Sequence, residues 1–262
     1  FGARQYDPVY GRFAGIDPLC EKYPHLSPYA YCGNDPVNAI DVDGDSIIYR
    51  IPNWQSKTFD NYYWDVSSSC FLDSNGNPFS GSDDMLSSIQ NALIQLQKGE
   101  TGKELINNLS TNHRNVLIMK SKQDNHEGEG DELYTSVVWW NPNKGGVFGG
   151  RNFISLAHEL AHAWDRILGT INLKKWYSVY NSNGKKVIIP KAEIFATHYE
   201  NLIRIEQGLS LRTHYSQDIL GNPDGGVIIN NGNQSIYFDM SGNHKRKYGK
   251  IHKNNYSYIT KE

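Results

Sequence analysis

The sequence is short of three things: cysteine, long apolar runs, and an excess of charge of one sign. Its three cysteines, Cys20, Cys32 and Cys70, are too few and too scattered for a disulfide framework or a zinc ribbon, so we expect three unpaired thiols. No apolar run approaches the roughly 20 residues that a membrane-spanning helix needs. The net charge is −2 and no basic patch dominates, so nucleic acid is not an expected partner.

The composition is polar but suits a folded protein. Hydrophobic residues make up 38% and aromatic residues 12% of the chain, which argues against global disorder. A length of 262 residues allows one sizeable catalytic domain and a smaller piece. The first residue is Phe1 rather than methionine, so we interpret the chain as the C-terminal portion of a longer protein.

One helical stretch carries the clearest chemical pattern. Residues 152–168 contain no proline or glycine, and residues 158–162 read HELAH, an HExxH pattern. On a helix, His158 and His162 leave the same face one turn apart, which suits two nitrogen ligands of one zinc ion. Glu159 lies beside them, where it can take a proton from an attacking water without binding the metal. The pattern also occurs by chance on ordinary helices, but here its flanks are apolar, and a buried His-Glu pair needs a partner.

A catalytic zinc keeps three protein ligands and one open position, so a third ligand must come from elsewhere in the chain. The candidates are Asp165, Glu193, His198 and Glu200. We choose Glu193, because it opens a second predicted helix after a loop long enough to turn back. Ala196, one turn later, leaves room for another helix to approach.

Two other acidic residues suit supporting roles. Asp165 lies three residues past His162, a position from which it can anchor an imidazole from outside the metal shell. Glu200 lies on the same face as the chosen ligand, where it either orients an imidazole or pairs with Arg204 or Arg212.

An arginine and a tyrosine three residues apart, Arg212 and Tyr215, follow the second helix. A zinc hydrolase needs a group that holds the developing oxyanion, and both side chains can do so. In isolation the same two residues would be read as a surface arginine and a packed tyrosine.

The order of the predicted elements indicates an α+β fold in which the active-site helix packs against a small twisted sheet. We expect helices over residues 85–96, 103–109, 152–168 and 190–206. We expect strands over residues 47–51, 116–119, 133–140, 227–229 and 235–238, a hairpin within 174–189, and a solvated basic tail at 244–253.

Two stretches near the predicted cleft have alternative interpretations. Residues 124–131 are acidic and contain His126 and Glu127, which could bind metal, but a solvated loop is favoured. The strand that contains Trp139 and Trp140 is either an edge strand that binds an extended substrate or ordinary core.

Residues 1–44 read FGARQYD at the start, GRF and IDP in the middle, and NDPVNAID at the close. This stretch resembles the end of an Rhs repeat-associated core, a β-cage that encloses a C-terminal toxin. The resemblance implies that Asp17 and Asp41 cut the toxin free near Gly44, although Val42 stands where the family has proline. Turn formation is the alternative role of both aspartates.

The pattern of HExxH, a distant Glu-x-x-Ala and Arg-x-x-Tyr over residues 153–215 resembles the NleD-like effector metallopeptidases. It also shares the logic of clostridial neurotoxin light chains, and the wider likeness covers about residues 83–220. The resemblance implies a zincin fold, bound zinc and proteolysis of a target-cell protein. It assigns three metal ligands, one general base and two transition-state residues: His158, His162 and Glu193; Glu159; Arg212 and Tyr215.

We therefore expect an Rhs core end at residues 1–44, a linker with first strands at 45–82, and a zincin-like toxin domain at 83–262. The expected function is a zinc endopeptidase toxin that is secreted or delivered into a target cell and acts in its cytoplasm. Its expected partners are a protein substrate, a cognate immunity protein and the upstream Rhs cage. The alternatives are a non-catalytic cage or binding fragment, which zinc content would distinguish, and a nuclease toxin, which a Glu159 variant would distinguish.

Overall fold

A computed structural model gives the structure of most of the chain. It describes residues 6, 7, 9, 10, 12–16, 27, 29, 46–53, 55–110, 114–131, 133–144, 151–180, 184–217, 222, 224–230, 232–239 and 255–258. Asp17, Asp41, two of the three cysteines and the basic tail lie outside the described residues. The third, Cys70, is a free thiol, as expected.

The described residues form four α-helices and twelve β-strands, which are between two and eight residues long. The helices are α1 (Asp84–Leu96), α2 (Glu100–Leu109), α3 (Asn152–Ile167) and α4 (Ala192–Glu206). The strands are β1 (Tyr6–Asp7), β2 (Arg12–Phe13), β3 (Ile47–Asn53), β4 (Thr58–Asp65), β5 (Cys70–Leu72), β6 (Val116–Lys120), β7 (His126–Glu129), β8 (Ser136–Trp140), β9 (Lys175–Tyr180), β10 (Lys186–Pro190), β11 (Gln234–Asp239) and β12 (Asn255–Ser257). None of these helices combines the length and apolar character that a membrane span needs.

The main sheet has six strands in the order β5-β4-β3-β6-β8-β7. Its centre is parallel, because β3 pairs with β6 and β6 pairs with β8 in the same direction. The flanking pairs β3–β4, β4–β5 and β7–β8 are antiparallel. The central strands are rich in Val, Ile and Leu, as expected for strands that are covered on both faces.

Alternate side chains of the central strands enter two different apolar clusters. Ile47 on β3 and Val138 on β8 belong to the large core that all four helices share. Ile48 and Val137, the adjacent residues, lie in a smaller cluster on the other face of the sheet. The two-residue period of a strand produces this division. The predicted α+β class, with the active-site helix against a small sheet, is confirmed.

Helix α3 is buried on nearly every side, since only Asn152 and Arg166 of its sixteen residues are not buried. A helix that is apolar or buried all round belongs at the centre of a domain rather than on its surface. Its end follows from Gly169, whose φ of +69° is costly for a residue with a side chain. The predicted boundaries of this helix are confirmed within one residue.

Helix α4 is held at both ends by other elements. At its start, the N–H groups of Lys191 and Ala192 donate to the carbonyls of Lys174 and Asn172, which lie just before β9. The hairpin predicted within residues 174–189 is confirmed, because β9 pairs with β10 in antiparallel fashion. At its other end, the carboxylate of Glu206 accepts hydrogen bonds from the N–H and the hydroxyl of Thr101, in the first turn of α2. A carboxylate at a helix N-terminus accepts hydrogen bonds from the free N–H groups, and its negative charge interacts favourably with the positive end of the helix dipole.

A second apolar cluster covers the outer face of α4. It joins Ile194 to residues that follow the helix: Ile228, Ile229, Tyr237, Phe238 and Tyr258. The predicted strand at 235–238 is confirmed as part of β11, which pairs with β12. The predicted strand at 227–229 is wrong: Val227 and Ile229 make isolated bridges only.

Residues 45–82 were expected to be a linker that leads into the first strands of the toxin domain, with a strand at 47–51. Strand β3 contains residues 47–51 and pairs with β6 in the middle of the main sheet, so this sheet has strands on both sides of residue 83. One prediction about the sheet needs correction. The solvated loop expected at 124–131 contains β7, and β7 rather than β8 forms that edge of the sheet. Trp139 and Trp140 therefore lie on an inner strand, and Trp140 is fully buried core.

Candidate metal centre and active-site cleft

Three candidate ligands meet between α3 and α4. The two histidines leave α3 one turn apart, with their rings 4.9 Å apart and nearly perpendicular. Nε2 of His158 lies 3.0 Å from Oε2 of Glu193, and Nε2 of His162 lies 3.1 Å from the same oxygen. One ligand atom from each residue lies within 4.8 Å of the others. Among the described residues this is the sole group of three or more potential ligands that converges in this way.

The set of donors fits a catalytic zinc ion. Two imidazole nitrogens and one carboxylate oxygen are a known three-ligand set that leaves one position open. All three side chains are largely withdrawn from solvent, with at most 14% of any one exposed. Ligand atoms that converge within 4.8 Å are close enough to be bridged by one divalent cation.

Glu200 fixes the orientation of His158. Its Oε2 lies 3.0 Å from Nδ1 of His158, so the Nδ1–H donates to the carboxylate and Nε2 is left free to bind a metal. Burial alone would lower the pKa of His158, but the hydrogen bonds to Glu193 and Glu200 outweigh burial and raise it to about 9.

The same carboxylate also binds two arginines. Nε of Arg204 donates to Oε1 of Glu200 at 2.8 Å, and Nη1 of Arg212 donates to Oε2 at 2.7 Å. The side chain of Glu200 is 2% exposed, and although burial opposes ionisation, the charges of Arg212, His158 and Arg204 hold its pKa far below its usual value. The two roles that the sequence left open for Glu200 are thus fulfilled together.

Arg212 and Tyr215 are adjacent but differ in their access to the cleft. Nε of Arg212 donates to the carbonyl of His214 at 3.3 Å and Nη2 to the carbonyl of Tyr215 at 2.7 Å, and the guanidinium lies 4.5 Å above the tyrosine ring. Asn201 exchanges two hydrogen bonds with the backbone of Arg212. Tyr215 lines the cleft, and burial together with the nearby charge of Glu193 raises the pKa of its phenol group.

The general-base candidate, Glu159, also lines the cleft. It is 7% exposed, and burial raises the pKa of its carboxyl group, an effect that the neighbouring histidines oppose. Its position beside the two histidines agrees with the geometry expected from HExxH.

Two of the remaining candidates lie outside the cluster of ligands. Nδ1 of His198 contacts the hydroxyl of Tyr258, and its ring stacks on Phe238 at 3.9 Å. The carboxylate of Asp165 accepts a hydrogen bond from the hydroxyl of Thr170 at 2.6 Å. The hydrogen bond expected between Asp165 and an imidazole is therefore not seen among the described residues; the carboxylate binds Thr170 instead.

From the candidate metal centre, the cleft extends in one direction towards the start of β7 and in the other towards the start of α4. Asn125, His126 and Glu127 line it on the β7 side, Arg166 lines it from α3, and its apolar lining residues are Ile171, Leu173, Pro190 and Ala192. No role was expected for Arg166 or Asn201 from the sequence. The one signal for Arg166 is its place four residues past His162, on the same face of the helix.

A family model for effector proteins, Peptidase_M91, matches residues 73–215, which is more than half of the chain. This chain belongs to the Peptidase_M91 family. The match to the M91 family begins just after β5 and ends at Tyr215, so it contains all the candidate metal and catalytic residues.

Two further similarities are limited in extent. A salivary gland surface protein 1 from Aedes aegypti is 54% identical over 44 residues, which are 17% of this chain and 1% of that protein, so the chain spans a very small part of that relative. The structure is also similar to the neurotoxin serotype F light chain of Clostridium botulinum, with a TM-score of 0.36 and 14% identity over 71% of this chain and 73% of that one. A likeness at this level carries no argument about the M91 chain.

Proposed function

We propose that the chain is a zinc-dependent endopeptidase that hydrolyses a peptide bond in a protein of a target cell. The observation that carries the proposal is the convergence of His158, His162 and Glu193 within 4.8 Å, beside the buried carboxylate of Glu159. Membership of the M91 effector family supports it. Zinc held by these three residues would act as a Lewis acid on the substrate carbonyl and the attacking water.

The chain supplies the proton transfers and the charge stabilisation. Glu159 takes a proton from the attacking water and passes it to the leaving amine. The hydroxyl of Tyr215, which lines the cleft, donates a hydrogen bond to the oxyanion. Arg212 was predicted to contact the oxyanion directly, and we revise this role. Its N–H groups donate to Glu200 and to two backbone carbonyls, so we propose that it positions Glu200 and Tyr215.

An edge strand beside the cleft remains the proposed site for an extended substrate, but the strand is β7 rather than β8. Strand β7 begins at His126, which lines the cleft with Glu127. Within the described part of the chain, β7 pairs with β8 alone, so its other edge is available to a peptide strand.

We also propose the division of the chain and its route of delivery. Residues 1–44 would be the end of an Rhs core, and the enzyme domain would follow it and include β3, β4 and β5, since these strands belong to the main sheet. An upstream Rhs cage in the same polypeptide would carry the toxin to the target cytoplasm. A cognate immunity protein would protect the producing cell.

The proposed function is tested with a library of peptides made from a digested proteome. The zinc-loaded chain should create new peptide N-termini, a chelator should abolish this activity, and added zinc should restore it. Incubation with DNA and RNA is the parallel test. Degradation of nucleic acid without any peptide cleavage would replace this proposal with the nuclease alternative.

Changing Tyr215 to phenylalanine should lower kcat for peptide cleavage by about 10²-fold, because one donor to the oxyanion is lost. Zinc content should not change, since the hydroxyl is not one of the converging ligands. Tyr180→Phe is the matched control, because Tyr180 is 72% exposed on β9, away from the cleft lining. Equal kcat values for the two variants would remove Tyr215 from the mechanism.

Expression of the chain with its upstream region should yield a fragment that begins near Gly44–Asp45. The proposed cut depends on Asp17 and Asp41, so Asp17→Asn and Asp41→Asn should each leave the polypeptide intact. Mass spectrometry of the purified product measures the cut. An intact wild-type polypeptide would assign both aspartates to turns instead.

A further inference from the structure

A partly buried ion pair joins the edge strand β7 to the active-site helix α3. Nε of Arg166 donates to Oε1 of Glu127 at 2.6 Å, and Nη2 donates to Oε2 at 3.0 Å. The side chain of Glu127 is 3% exposed and that of Arg166 is 15% exposed. Two parallel N–H···O bonds of this kind fix the relative orientation of the two groups, which a single contact does not.

The pair has a third member and a defined place in the cleft. The hydroxyl of Ser136 on β8 donates to Oε1 of Glu127 at 2.5 Å, so the carboxylate is satisfied from two elements. Arg166 lies one helical turn beyond His162, and both Arg166 and Glu127 line the cleft. The contact therefore fixes β7 against the same helix that carries the two histidines.

The backbone of Glu127 faces the open edge of β7. The carbonyl of Trp140 accepts a hydrogen bond from the N–H of Ser121, on the β6 side of β8. Alternate residues of a strand face opposite neighbours, so Val137 and Trp139 direct their backbone groups towards β7. Their partners in β7 are Gly128 and His126, which leaves the N–H and C=O groups of Glu127 and Glu129 directed outward.

We propose that the Glu127–Arg166 pair is a positioning device that holds the outward backbone groups of β7 in register for the substrate strand. The proposal rests on the proposed peptidase function and names no new catalytic residue. Without Arg166, the carboxylate of Glu127 would lose its charged partner and keep only the hydroxyl of Ser136, and β7 would move to hydrate it. The substrate strand would then bind less well, while the metal ligands and Glu159 would stay in place.

The test compares three variants with an exposed ion pair as control. Arg166→Met removes the guanidinium, Arg166→Lys keeps the charge but not the paired donors, and Glu127→Gln keeps the shape but not the charge. Lys144→Met breaks the contact between Lys144 and Asp124, whose side chains are 48% and 90% exposed, so little should change. The probe is the peptide that the wild-type chain cleaves best in the proteome-derived library.

Arg166→Met should raise KM about tenfold or more and change kcat less than threefold, with full zinc content. Arg166→Lys and Glu127→Gln should fall between it and the wild type, and Lys144→Met should match the wild type. A structural defect that disturbed the metal centre would instead lower kcat and zinc content together. If Arg166→Met does not fold, Arg166→Lys and Glu127→Gln show whether KM changes more than kcat.

Hydrogen exchange measures the same effect without any substrate. The amide of Gly128, which faces β8, should exchange at least tenfold faster in Arg166→Met than in the wild type or in Lys144→Met. Unchanged exchange at β7 together with an unchanged KM would overturn the inference. Absence of peptide cleavage by the wild-type chain would instead overturn the proposed function, and the exchange rates would still decide whether the pair holds β7.

Discussion

Replacing Glu159 with glutamine is expected to lower the rate of peptide cleavage by about 10²- to 10⁴-fold, the range typical of a lost general base. Glutamine keeps the size of the side chain and can still accept a hydrogen bond, but it cannot carry a proton from the water to the leaving amine. Because Glu159 is not one of the converging ligand atoms, zinc content should stay at one ion per chain.

The thermal midpoint of this variant should also stay close to that of the wild type, since Glu159 is 7% exposed and its replacement fills the same space. Glu104→Gln, an exposed change on α2, is the matched control. The measurements are the cleavage rate on a library peptide, metal content, thermal melting, and toxicity on expression in a host cytoplasm. A folded, zinc-loaded Glu159→Gln chain that remained fully active would contradict the peptidase mechanism.

The second large effect is expected from removing two of the three ligands at once. A His162→Ala, Glu193→Ala chain should lose its zinc and all measurable peptide cleavage. It should also lose the stabilisation that zinc gives the wild type, which is about 2.7 kcal/mol at a free zinc concentration 100 times the Kd. The physical reason is that zinc binds the folded site and not the unfolded chain, so binding and folding are coupled.

Metal analysis and melting curves with and without added zinc measure both losses. His198→Asn is the control for the choice of third ligand, because His198 contacts Tyr258 and Phe238 rather than the converging ligands. The control should keep one zinc per chain even if its stability falls. Full zinc content in the double variant would show that other residues hold the metal.

The elements that could be predicted from the sequence are those that local patterns determine. The apolar flanks of the HExxH segment and the glycine that follows it predicted α3, and the β9–β10 hairpin needed only two short alternating runs around a turn. Each of these features depends on residues that are close together in the sequence. Glu193 was selected from four candidates by its position at the start of the next helix and its Glu-x-x-Ala spacing, and the structure places its Oε2 near Nε2 of both histidines.

The features that could not be predicted depend on partners far away in the sequence. Ile47 pairs with Val116, and no local signal in residues 45–82 indicates that their strands form the middle of the sheet. Strand β7 reads His-Glu-Gly-Glu, which has low strand propensity, and it forms because β8 and Arg166 hold it. The composition of these residues predicted a loop. That prediction was wrong because composition does not show the distant partners that hold the strand.

The sharing of one carboxylate by a histidine and two arginines has a consequence for the evolution of the site. Glu200 holds His158, Arg204 and Arg212, so a change at any one of them alters the charge balance for the other two. Residues in one such network have non-additive effects, with interaction energies of about 0.5–3 kcal/mol. A descendant of this chain is therefore expected to keep all four residues or to replace several of them together, and single replacements should be rarer here than elsewhere in the buried core.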